Sequence, residues 1–106
     1  MSSSDNTRTF IAKLKGSDNY EVWSLRTTAY LIKEGTYKAI SDPKEVDDDT
    51  DEKALSSILL VIEDGPLLQI QYIKTALEAW NSLKNLYTLE GFYLNLLYVE
   101  SFSILL

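Results

Sequence analysis

Four isolated glycines, Gly16, Gly35, Gly65 and Gly91, cut this chain into short segments in which apolar residues recur every three or four positions. An α-helix turns once per 3.6 residues, so that spacing gathers the apolar side chains on one face, and a glycine just past it marks a stop. The pattern predicts an all-α chain, a compact bundle of four to five short helices. At 106 residues the chain fits a single domain. That size also permits a core without disulfide or metal staples.

The segments read as follows. Residues 1–9 are polar and Ser-rich, and are expected to form a disordered tail before a helical domain over 10–91. Phe10 to Leu14 is a short apolar stretch before Gly16, expected as a turn or a covering strand-like arm. Asp18 with Glu21 three residues on predicts a capping box. It opens a helix whose apolar face carries Tyr20, Trp23, Thr27, Tyr30 and Leu31 and which stops at Gly35. Tyr37 to Thr50 loses the period. Tyr37 and Ile40 are expected to pin a turn, Ser41-Asp42-Pro43 to break any helix, and Asp47-Asp48-Asp49 to form a surface loop ending at a helix start.

A second helix is predicted over Asp51–Ile62, with Leu55, Ile58, Leu59 and Ile62 on one face. Asp64-Gly65-Pro66 punctuates, and a short third helix over Pro66–Ile73 carries Leu67, Leu68, Ile70 and Ile73 nearly all round, which predicts deep burial. Thr75 and Glu78 form a capping box for a fourth helix that presents Ala76, Trp80, Leu83 and Tyr87, widened by Leu77 and Leu86, and ends at Glu90-Gly91. Trp23 and Trp80, each at mid-helix, are expected in the core.

The run from Phe92 to Leu106 is interrupted only by Asn95, Glu100, Ser101 and Ser103. It has no clean amphipathic face, and its period does not separate helix from strand; context favours a C-terminal helix. An apolar segment of that kind is not left in water. It is expected either to close the chain's own core or to pack on a second copy through Phe92, Leu96, Leu97, Val99, Phe102 and Ile104, giving a homo-oligomer with a dimer favoured.

Composition removes whole classes of chemistry. The chain has no Cys and no His, which excludes zinc sites and thiol or imidazole nucleophiles. Asp47, Asp49 and Asp51 have the alternate spacing that starts a calcium loop, but Glu52 and Ile58 stand where that loop needs Gly and a bidentate Glu. No glycine cluster cradles phosphate, and no serine elbow is present. The expectation is no enzyme, no metal and no cofactor. Ten basic residues scattered among sixteen acidic ones, net charge −6, form no stripe for phosphates, so no direct nucleic-acid binding is expected. The start lacks a secretory pattern and the longest apolar run is too short to span a bilayer, giving no membrane association and a cytoplasmic default.

Three segments carry a resemblance to a known family. Leu14-Lys15-Gly16-Ser17-Asp18-Asn19-Tyr20-Glu21-Val22-Trp23 with Ala29-Tyr30-Leu31 resembles the opening helix of copia-type LTR retrotransposon Gag polyproteins. Asp51 through Ile62 is similar to that family's next amphipathic helix. Thr75-Ala76-Leu77-Glu78-Ala79-Trp80-Asn81-Ser82-Leu83 with Leu86-Tyr87 is close to its signature "TAKEAWDxLxxLY". The match covers about residues 10–90 in order. It implies the N-terminal lobe of a capsid domain, an all-α fold that self-assembles into a shell around element RNA, here in truncated form. The implied partner is the chain itself or another copia-type Gag subunit. The family's Cys-Cys-His-Cys zinc knuckle and basic tail have no counterpart in this sequence, so RNA packaging is not expected of it. A role that interferes with a parental shell and a domesticated peptide-binding adaptor are the other readings.

Overall fold

Residues 10–88 are described by the computed structural model; the expected tail over 1–9 and the apolar run over 92–106 lie outside them. The described residues form five α-helices without a sheet, so the fold class is the predicted all-α bundle.

Helix α1 spans Ser17–Lys33, with Gly16 at its N-cap. The expected Asp18–Glu21 box is not used. Asn19 takes its place: its Oδ1 accepts from the backbone N–H of Lys15 (2.9 Å) and of Gly16 (3.4 Å), and its Nδ2 donates to the Lys13 carbonyl (2.9 Å). A side-chain amide accepts and donates at once, which a carboxylate cannot, so Asn19 ties the arm to the helix from both sides. At the other end Gly35 has φ 77°, a left-handed conformation that glycine adopts without strain. The Gly35 N–H donates to Ile32 and the Thr36 N–H to Leu31, the paired bonds of a Schellman stop.

A one-turn helix α2 (Lys38–Ser41) buries Ala39 and Ile40, and Pro43 opens a 3-10 turn over Pro43–Glu45. Helix α3 then runs Asp48–Leu60. The acidic run is therefore a helix start rather than a loop. Asp47 caps it, its Oδ1 accepting from the Thr50 N–H at 2.8 Å, and Asp48, Asp49 and Asp51 lie in the first turn. Carboxylates complement the exposed N–H groups there, so an acid-rich segment that looks unstructured by composition is helical by electrostatics.

Helix α4 is Asp64–Gln69, earlier and shorter than predicted, with Pro66 in the first turn where its missing N–H costs nothing. Ile70 is buried and Leu67 and Ile73 are half-buried, but Leu68 is 62% exposed, so the expectation of burial all round fails: a six-residue helix on the outside of a bundle has a solvent side. Helix α5 is Ala76–Tyr87, and Thr88 is already extended (φ -111°, ψ 157°), so the helix stops short of the predicted Glu90-Gly91. Thr75 caps it as predicted, accepting from the Glu78 N–H at 3.2 Å while its own hydroxyl donates to Glu78 Oε1 at 3.1 Å. The Ala76 N–H donates to Asp51 Oδ1 at 3.2 Å, which joins the starts of α3 and α5.

Helix α3 packs chiefly on α5, α2 packs on both, and α1 lies across the pair. The core is Leu14, Tyr20, Trp23, Leu31, Ala39, Ile40, Ala54, Ile58, Ile62, Ile70, Ala76, Ala79 and Leu83. Leu55, Leu59, Trp80 and Tyr87 pack against it half-buried. Burying one Leu or Ile side chain is worth about 1.5–3 kcal/mol, so Leu14, Leu31, Ile58 and Leu83 supply a large part of the driving force. The Phe10–Leu14 stretch is the strand-like arm. Its Leu14 forms a single parallel bridge with Ile62, the Leu14 N–H donating to Val61 (3.0 Å) and the Glu63 N–H to Leu14 (2.9 Å).

Candidate protein-binding surface

The two tryptophan helices meet at the centre of the bundle. The rings of Trp23 (α1) and Trp80 (α5) stack with centroids 5.6 Å apart at 29°, and Tyr20 tilts against Trp23 at 5.8 Å. These separations lie in the attractive range for aromatic pairs. Trp23 is sealed, and its Nε1–H donates to the Val61 carbonyl at 2.8 Å. That oxygen closes α3 and would otherwise be an orphan; it accepts from both Trp23 and Leu14, one for each lone pair. Trp80 keeps one edge toward solvent because the inward line of α5 runs through Ala76, Ala79 and Leu83. Burial pushes the Tyr20 phenol above its ordinary pKa, partly opposed by a hydrogen bond with Ser24, and burial raises Tyr87 as well. Asp47 is lowered by its bonds to Thr50.

A cleft of about 230 Å³ opens between the arm, α1 and α3, lined by Phe10, Ile11, Tyr30, Ser57, Leu60 and Val61. Tyr30, predicted on the core face of α1, stands half-buried at its wall, because a residue at the edge of a helix's apolar stripe reaches the boundary and not the interior. A second, more polar cleft lies between the start of α1 and the end of α5, bounded by Asp18, Glu21, Tyr87 and Thr88. Among the described residues no group of three or more carboxylates is drawn together as a metal site, and no helix is long and apolar enough to cross a membrane.

Sequence reasoning missed the outer surface. Phe10, Val22, Leu25, Ile32, Leu60, Leu68, Tyr72 and Leu86 are all exposed. Val22, Leu25 and Ile32 fall outside the core period of α1, and that misfit was the available signal. The candidate association residues Phe92, Leu96, Leu97, Val99, Phe102 and Ile104 lie outside the described residues. Compared with known proteins, the chain matches no family model, no curated protein and no solved structure.

Proposed function

We propose that this domain is a non-enzymatic, cytoplasmic protein-binding unit that self-associates in the manner of a capsid N-terminal lobe, similar to the copia-type Gag proteins its sequence resembles. One observation carries the reading: eight large apolar side chains stand exposed on so small a helical domain. Scattered exposed apolar residues are ordinary, but three of these share one helix, α1, and a grouped apolar surface marks a place where another surface binds. The partner under this reading is a second copy or an intact Gag subunit, and joining an intact subunit would contribute to or interfere with its shell.

Sedimentation of the full chain from micromolar to near-millimolar concentration tests this. A rising mean mass, together with capture of a full-length copia-type Gag, is expected. A strict monomer that also ignores that Gag would remove the proposal. An adaptor reading has its own observation, the cleft beside Tyr30. Panning a peptide library against the native domain and a Tyr30→Ser variant separates it: ligands kept equally by both would count against a groove built on Tyr30.

A further inference from the structure

Helix α1 is apolar on two opposite faces. Its inward face, Tyr20, Trp23, Thr27 and Leu31, is buried. On the far side Val22 (56%), Leu25 (71%), Ala29 and Ile32 (59%) are exposed. Their spacing of three, four and three residues is the a–d–a–d order of a heptad seam, which lets one helix pack along another. A seam of this kind facing water is incomplete.

We infer that the outer face of α1 is a self-association site, pairing in parallel with α1 of a second copy of this chain about a two-fold axis. The inference rests on the proposed self-association and names the surface and its occupant. Charge selects that occupant and its direction. With Val22 and Ala29 at a, Glu21 falls at g and Arg26 at e of the following heptad, both exposed. Neither makes an ion pair among the described residues. In a parallel pair each g side chain meets the partner's e side chain, so Glu21 of one copy meets Arg26 of the other, twice by symmetry. An antiparallel pair sets e against e instead and gathers Arg26 and Lys33 of both copies along one flank, where like charges repel. A seam that is self-complementary in only one direction fits a second copy of itself.

Area sets the strength. The four seam residues expose on the order of 350 Å² of apolar surface per copy, below what a stable standard-size dimer needs. The pairing is therefore weak, populated at high concentration or alongside other contacts.

The full chain, free of native cysteine, allows a direct test. Val22→Cys should form a disulfide-linked dimer under mild oxidation, because parallel seams place residue 22 beside its own copy. An antiparallel pair would set the two about 15 Å apart along the axis, beyond the roughly 7 Å between Cα atoms that a disulfide spans. By sedimentation, Glu21→Arg or Arg26→Glu alone should weaken association about five- to twenty-fold, and the double swap should restore it. Leu25→Glu should abolish it while leaving the helical circular dichroism unchanged. If the native chain associates but Leu25→Glu has no effect and Leu97→Glu abolishes association, the α1 inference falls and self-association through the terminal run stands. If the native chain is a strict monomer, the proposed self-association falls first. Failure of the double swap to rescue the singles would overturn the parallel arrangement.

Discussion

Trp23→Phe separates the two jobs that one side chain performs. The indole is buried, stacks on Trp80 and donates its Nε1–H to the Val61 carbonyl. A phenyl ring keeps most of the stack but loses the donor and part of the volume. The lost hydrogen bond is worth about 1 kcal/mol net, because Val61 is not stranded: the Leu14 N–H still occupies it. The missing part of the ring costs a further 1–2 kcal/mol or so in transfer and cavity terms. The expected loss is therefore about 2–3 kcal/mol, against about 3–5 kcal/mol for Trp23→Ala. A domain of this size has about 5–10 kcal/mol to lose, so the phenylalanine variant should still fold. Urea unfolding followed by far-ultraviolet circular dichroism measures both variants on one scale, with an unchanged slope as the check on two-state behaviour. A Trp23→Phe loss well above about 3 kcal/mol would show that Leu14 does not keep the carbonyl satisfied. A loss of only about 1 kcal/mol, no more than the missing part of the ring accounts for, would show that the indole bond contributes nothing.

Other outcomes follow from the same contacts. Thr27 is fully buried in α1 and its hydroxyl has no hydrogen-bond partner, so Thr27→Val should raise stability by about 1 kcal/mol in the same urea assay; a loss would mean the hydroxyl is satisfied. Gly35→Ala meets no steric neighbour but must hold a left-handed φ, and should cost about 1 kcal/mol, with Gly35→Asn costing less. Thr75→Ala removes the cap of α5 and should cost about 1 kcal/mol, read as a lower thermal midpoint. The phenols of Tyr20 and Tyr87 are raised in the folded state, so the stability they contribute is complete below their unfolded value near pH 10 and is lost as pH climbs through the folded values. Denaturation midpoints compared at pH 8.5 and 11 should show that fall, and Tyr20→Phe should reduce it.

The helical class was legible because a period near 3.6 recurs along most of the chain and Gly35 stops α1, although Gly65 lies inside α4 rather than between helices. The arm, one of two options offered by Phe10, Ile11, Ala12 and Leu14 ahead of Gly16, was legible as far as its place. Boundaries were harder where two cues conflict. Asp47 to Asp51 has the composition of a loop, and only the attraction of carboxylates to a helix start makes it the first turn of α3. Asp18 is a favoured cap by type, but Asn19 takes the place because its amide both accepts from the Lys15 and Gly16 N–H groups and donates to the Lys13 carbonyl, which no carboxylate does. Trp80 and Tyr87 fit the predicted face of α5, but Ala79 turned that face by one residue, and an alanine weighs little in any hydrophobic count. The link from Asp51 to Ala76 joins residues 25 apart and leaves no trace in local sequence. On the surface, the outer seam of α1 was written in Val22, Leu25, Ala29 and Ile32, and became distinct once the inward face was assigned.

The bond from Trp23 to Val61 also sets a timetable. Its donor is made 38 residues before its acceptor, and a ribosome adding about 5–20 residues each second leaves that indole without its acceptor for roughly 2–8 s. Through that interval the core that Trp23 ties to the end of α3 cannot close, so this part of the domain completes its packing only once residue 61 is made.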